Sequence, residues 1–127
     1  KVIAGKFKEA EGPVKGHNVE PIYFDVELKK DRKFIFNLPS THNTFVYLIN
    51  GEIKIGEKKH EKVKDSTLIL LSRGESLNIK AQSNAKFLVI SGKPLNEEIA
   101  RGGPFVMNTK AEILQAVQDY HNGTFVK

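Results

Sequence analysis

Ile22-Tyr23-Phe24-Asp25-Val26-Glu27-Leu28 places an apolar residue at every second position, with Tyr23, Asp25 and Glu27 between them. Side chains of a β-strand point alternately to opposite faces, so this spacing predicts a strand with one face in a core and the other toward water. The period continues downstream. Phe34 and Phe36 repeat it, and Phe45 to Ile49 is a fuller apolar run that predicts a central strand covered on both sides. Asn50-Gly51 interrupts that run and Ile53 with Ile55 resumes it, which predicts a tight hairpin because Asn-Gly accepts the positive φ of a primed turn. Beyond a basic stretch, Thr67 to Ser72 predicts another central strand and Gly74-Glu75 a turn. Leu77 with Ile79 alternates again, and Phe87 to Ile90 makes one more strand, stopped by Gly92 and Pro94. Short strands spaced by roughly ten residues with Gly or Pro between them predict an all-β sandwich or barrel, not βαβ units.

Near the end of the chain the period changes. Thr109 is followed three places on by Glu112, a capping-box spacing, and Ile113, Ala116, Val117 and Tyr120 share one helical face. Asn122-Gly123 supplies the stop, so a single amphipathic helix closes the chain. The segment from Gly92 to Asn108 is too rich in Gly and Pro for regular structure, apart from a helical turn expected over Asn96 to Ala100.

Composition narrows the function classes. A length of 127 residues and a mass of 14.3 kDa predict one domain over residues 1–127. With no cysteine there is no disulfide, thiolate metal site or thiol nucleophile, which agrees with an intracellular setting, cytoplasmic or nuclear. No apolar run approaches the ~18 residues of a membrane span. The first residue is Lys1, and Val2 to Phe7 is too short and basic for a signal peptide, so a fragment or processed product is expected.

Lys plus Arg number 20 against 15 Asp plus Glu, for a net charge of +5. Arg occurs only at Arg32, Arg73 and Arg101, far apart, which argues against sequence-specific nucleic-acid binding, where forked guanidinium contacts dominate. Lys29, Lys30, Arg32 and Lys33, then Lys58, Lys59, Lys62 and Lys64, are expected in solvated loops or at a lysine-guarded sheet edge. Salt-sensitive attachment to a polyanion is the alternative.

The histidines are His17, His42, His60 and His121, with no HxH or HxxxH pair. His60 falls in the basic stretch and His121 at the helix end, where solvation and the helix dipole account for them. His42 precedes a strand and, with Asn43 and Glu52, is the candidate for a ligand or interface at the barrel mouth. Its competing role is a structural imidazole bonded to backbone groups. An open metal site needs several inward His, Asp or Glu side chains, whereas the inward positions here are Ile, Val, Leu and Phe, which predicts a filled core and no metal. There is no GxSxG, Walker loop or GxGxxG, and Ser72 and Ser91 have no evident paired base, so no catalytic residue is assigned.

Phe45-Val46-Tyr47-Leu48-Ile49-Asn50-Gly51-Glu52 resembles the first conserved block of the cupins, small β-barrels that often hold one metal. Aligned on Gly51, the block's glutamate falls on Thr44 and its histidines on the 37–40 stretch. A second block over Ser72-Arg73-Gly74-Glu75-Ser76-Leu77 puts Leu77 at its histidine. A more specific resemblance covers nearly the whole chain. Gly102-Gly103-Pro104-Phe105-Val106-Met107-Asn108-Thr109, then Glu112-Ile113, Gln115-Ala116, Asp119-Tyr120 and Asn122-Gly123, is similar to the closing signature of pirins, within which Gly103, Pro104, Phe105, Asn108 and Tyr120 are family or interdomain positions. Ser91-Gly92, Pro94 to Glu97 and His42 to Tyr47 are similar to further pirin blocks. Pirins are bicupins, and the resemblance implies that this chain is the metal-free C-terminal barrel. It implies an iron held by histidines and a glutamate in an N-terminal barrel, with quercetin 2,3-dioxygenase activity or nuclear transcriptional co-regulation belonging to the whole protein. The expected partner is that N-terminal cupin half or a second copy of the chain, with other protein partners open. The alternative is a stand-alone, metal-free binding module, and a catalyst built on His42 is the remaining reading.

Overall fold

The computed structural model describes residues 1–15, 18–56 and 61–126, so the sequence readings for His17, Lys58, Lys59 and His60 lie outside the described residues. The chain forms two compact units, Lys1–Pro94 and Leu95–Lys127. No described helix is long and apolar enough to cross a membrane.

The first unit is made of strands β1 (Val2–Ala4), β2 (Lys6–Phe7), β3 (Ala10–Glu11), β4 (Ile22–Leu28), β5 (Lys33–Asn37), β6 (Asn43–Asn50), β7 (Glu52–Ile55), β8 (Glu61–Lys64), β9 (Thr67–Leu70), β10 (Ser76–Ala81) and β11 (Ala85–Gly92). A five-stranded sheet has the order β1-β4-β11-β6-β9, and a four-stranded sheet the order β5-β10-β7-β8. Strands β2 and β3 form a small separate ribbon. Alternation decides the core. Phe24, Val46, Leu48, Phe87 and Val89 from the larger sheet meet Phe34, Ile53, Leu77 and Ile79 from the smaller one in a single buried cluster. Phe34 and Phe87 touch edge to face at 5.8 Å between centroids, which joins the sheets. Fully burying a side chain of this size contributes about 1.5–3 kcal/mol.

Three strand expectations change. β6 is an interior strand, but only its inner face is fully covered: Val46 and Leu48 are fully buried, while on the outer face Phe45 is half-buried and Tyr47 37% exposed. That is normal where an antiparallel sheet packs one face on a core. β9 is not central; it ends the five-stranded sheet, with Leu68 55% and Leu70 77% exposed. Its unbroken apolar run reads as doubly buried only because both of its faces are apolar. Asn50-Gly51 makes a turn with Gly51 at φ 91°, but no hairpin, since β6 lies in the larger sheet and β7 in the smaller. The turn carries the chain across the core. The basic stretch does end a sheet as expected: β8, with Lys62 and Lys64, is the edge of the four-stranded sheet.

In the second unit, β12 (Ala100–Gly102) pairs with β13 (Phe105–Met107), and helix α1 (Lys110–Asn122) follows. The segment expected to be irregular thus holds a hairpin, and the helical turn expected over 96–100 is absent. Gly103 at φ 55° lets the chain reverse there. The capping box is present: the Glu112 N–H donates to Thr109 Oγ1 at 3.2 Å and the Thr109 N–H to Glu112 Oε2 at 2.7 Å. Gly123, left-handed at φ 71°, ends the helix.

Candidate functional site

His42, Thr44, Val46 and Leu48 occupy the inward positions of β6 and the turn before it, as Phe87, Val89 and Ser91 do on β11. Two of these strand residues are polar, and the register sets them opposite each other as the pair Ser91 and Thr44. Their hydroxyl oxygens are 2.8 Å apart, and Ser91 Oγ also lies 3.3 Å from His42 Nδ1. The other ring nitrogen, Nε2, faces the Glu20 carboxylate at 4.0 Å, and Lys93 Nζ approaches the same carboxylate at 3.8 Å. His42 is 4% and Ser91 3% exposed, so a buried polar pair at one end of an apolar core leads out to the exposed Glu20 carboxylate and Lys93. A turn fixes the ring's position, because the His42 N–H donates to Pro39 O at 3.0 Å.

A recess of about 450 Å³ opens beside the imidazole, lined by His42, Glu20, Pro39, Pro21 and Gly5 among others. The order carboxylate, imidazole, hydroxyl resembles a nucleophilic relay in sequence of groups alone. Ser91 is buried, does not line the recess, and shares its hydroxyl with Thr44, so it has no approach to a substrate. What the arrangement offers is recognition, through an imidazole and a carboxylate at the edge of a small cavity.

The candidate residues do not all come together. Asn43 is exposed next to His42, but Glu52 lies past the far end of β6, about 25 Å of extended strand away. There Glu52 stands opposite Lys64, and its N–H donates to Ser83 Oγ at 2.9 Å. The His42 ring meets side chains where backbone partners were the competing expectation. Ser91 acquires in His42 the neighbouring base that the sequence did not reveal. Its signal was available, since Ser91 continues the inward parity of Phe87 and Val89; Glu20 carried none.

The signature residues Gly103, Pro104, Phe105, Asn108 and Tyr120 organise the second unit. Gly103-Pro104 turns the hairpin, and the Phe105 ring lies 6.1 Å from Tyr120 and 5.1 Å from Phe125. The Asn108 amide donates to Glu97 Oε2 and Glu98 O, both at 2.9 Å. Gly102 leaves room for the helix, because a Cβ there would meet Ile113 Cγ2 at 2.4 Å.

Residues at the positions of cupin ligands do not fit a metal. The Thr44 hydroxyl is engaged by Ser91, while Leu77 and Leu38 are part of the buried core. Among the described residues, no three His, Cys, Asp or Glu side chains lie together to hold an ion. Titration of the chain with ferrous ion, followed by metal analysis, is expected to find well under one bound equivalent.

A family model described as the pirin C-terminal cupin domain matches residues 23–126. The chain is 38% identical over 104 residues to a pirin-like protein of Solanum lycopersicum, covering 80% of the chain and 36% of that protein. It is 35% identical over 128 residues to a Pseudomonas aeruginosa protein provisionally named a quercetin 2,3-dioxygenase, covering 100% of the chain and 43% of that protein. The crystal structure of a quercetin 2,3-dioxygenase from Acinetobacter baumannii is similar with a TM-score of 0.84 at 36% identity, over 98% of the chain and 42% of that structure. The chain spans less than half the length of each of these proteins.

Proposed function

Since the chain belongs to the pirin family as a C-terminal cupin domain, we propose that it is the metal-free half of a two-barrel protein and serves as the seat for the other barrel. The observation that carries this is the outer face of the five-stranded sheet. Two cross-strand rows lie side by side there: Tyr23, Ile90, Phe45 and Leu70, and beside them Asp25, Leu88, Tyr47 and Leu68. Seven of the eight are apolar or aromatic, and Tyr47, Leu68 and Leu70 are exposed. A contiguous apolar face of this kind marks a protein interface. The eighth residue, Asp25, is half-buried, with Oδ2 3.9 Å from Lys86 Nζ.

The occupant is the part of the relatives that this chain does not span. In this reading the iron and the oxygenase chemistry on a flavonol such as quercetin belong to the other barrel, inside the cell. Transcriptional co-regulation is the alternative role of the whole protein in this reading. This half contributes rigidity and a fixed relative placement.

Sedimentation of the chain with the complementary part of the Pseudomonas aeruginosa relative is expected to show a complex, and Leu68→Lys with Leu70→Lys to weaken it by about tenfold or more. Self-association of the chain through the same residues would show that the face accepts a copy of itself. A strict monomer with no affinity for that part would overturn the proposal. The second reading, a stand-alone binding module, would then be favoured by the recess beside His42 and Glu20.

A further inference from the structure

The register of the four-stranded sheet lines up four lysines. Lys80 on β10 stands opposite Lys33 on β5 and opposite Lys54 on β7, and Lys54 stands opposite Lys62 on β8. All four share the outer face, because Phe34, Ile79, Ile53 and Val63, which alternate with them, pack into or against the core. Neighbouring strands are about 4.8 Å apart, so the row runs across the sheet for about 14 Å.

Like charges directly opposite one another destabilise a sheet. The other described strand pairs avoid that arrangement. Lys64 stands opposite Glu52, and Lys86 opposite Glu27 with Nζ 3.1 Å from the carboxylate. That hydrogen bond, with the Asp25 charge beside it, holds the Lys86 amine above its ordinary pKa. Lys15 and Lys93 lie 3.2 and 3.8 Å from Glu11 and Glu20. Within the row, among the described residues, only Lys80 has a carboxylate in reach, Asp31 at 3.7 Å, in a solvent-exposed pair of little strength. Among the described cross-strand pairs, this row is therefore the place where like charges face each other.

A recess of about 490 Å³ runs along it, lined by Lys33, Lys80, Lys54, Asn78, Ile35 and Gly56. Gly56 comes two residues after Lys54, at the next outward position, and lines the recess. Its N–H donates to Asn78 O at 3.0 Å, which continues the ladder beneath. The volume is within the range of small-molecule sites. Ammonium groups act as compact point charges that suit phosphate oxygens. Among the described residues that line this recess there is no guanidinium and no aromatic ring, so they provide neither forked base recognition nor base stacking.

We propose that this face binds a polyphosphate chain, free or as the tail of a nucleotide, along Lys33, Lys80, Lys54 and Lys62. The site is on the opposite sheet from the apolar face and is independent of what docks there. The test is calorimetry at low salt with inorganic tripolyphosphate, ATP, orthophosphate and a short DNA duplex. Two double variants remove equal charge: Lys54→Gln with Lys80→Gln inside the row, and Lys64→Gln with Lys86→Gln outside it. Tripolyphosphate is expected to bind more tightly than orthophosphate, to weaken about tenfold in the first variant and to change by less than about twofold in the second. Its affinity should fall steeply with salt. ATP binding as tripolyphosphate does would assign the nucleotide tail as a source, and ATP failing to bind would assign the free chain. Equal loss in both variants, no preference over orthophosphate, or row-dependent binding of the duplex alone would overturn the proposal. The first variant should also unfold at the same or a higher urea concentration than the parent, since repulsion has been removed; a lower midpoint would contradict an uncompensated row.

Discussion

Phe87→Ala is expected to lower the free energy of unfolding by about 3–5 kcal/mol. Phe87 lies on β11, the middle strand of the five-stranded sheet, between Val26 on one side and Leu48 on the other, and is 0% exposed. Its ring packs edge to face on Phe34 of the opposite sheet, so truncation opens a cavity between two sheets that the backbone ladders prevent from closing. A small domain has about 5–15 kcal/mol in all, so this single change removes a large share of it. Urea denaturation followed by circular dichroism measures the loss. Leu70→Ala is the comparison, because at 77% exposure the same kind of truncation should stay within about 0.5 kcal/mol. A loss at Phe87 as small as at Leu70 would mean that the sheets do not meet through this ring.

Gly51→Ala is the second large effect, and it separates two reasons for a glycine. Gly51, Gly103 and Gly123 all have positive φ, at 91°, 55° and 71°. An alanine held in that region costs about 1–2 kcal/mol from backbone sterics alone. At Gly103 and Gly123 nothing lies within 4 Å of the added Cβ, so that term is the whole of the expected effect. At Gly51 the Cβ would stand 2.4 Å from Asn84 O and 2.8 Å from Ala85 Cα, both backbone atoms that no rotamer change can move. The crossing between sheets must then shift together with the start of β11. Gly51→Ala is expected to lose at least about twice as much stability as Gly123→Ala, in the range of 3 kcal/mol or more. Equal urea midpoints for the two variants would show that the turn relaxes freely.

Local periodicity made much of this fold legible. Ile22 to Leu28, Leu77 with Ile79, and the capped helix from Thr109 to Gly123 depend on side-chain direction within a single segment, which the sequence states directly. What failed was partner choice. Asn-Gly at 50–51 specifies a reversal with positive φ, but the same chemistry serves a hairpin and a corner between sheets, and β6 pairs with β11 and β9 instead of its neighbour β7. Thr67 to Ser72 reads as central because hydrophobicity is the same whether a residue is covered by its own chain or left on an outer face. The site shows the same division. His42 was identifiable as a candidate, but its partners Ser91 and Glu20 are brought to it by register and by a loop, and Glu52, close in sequence to the end of β6, is carried to the opposite end. The row of lysines across the smaller sheet could not be seen at all without its register, since Lys33, Lys54, Lys62 and Lys80 share no spacing along the chain.

The place of β11 has a consequence for how the molecule is made. It is the last strand of its unit to be synthesised, yet it lies between β4 and β6 at the middle of the larger sheet. At the usual elongation rate of about 5–20 residues per second, β4 waits some seconds on the ribosome before its partner exists. Through that interval β4 can pair with β1 and β6 with β9, but Phe24, Val46 and Leu48 lack Phe87 and Val89 between them, and the long sequence separation of β4 from β11 makes the final pairing slow. A nascent chain stopped short of β11 therefore holds the smaller sheet and two strand pairs with a gap between them, while one that reaches residue 92 can complete the larger sheet.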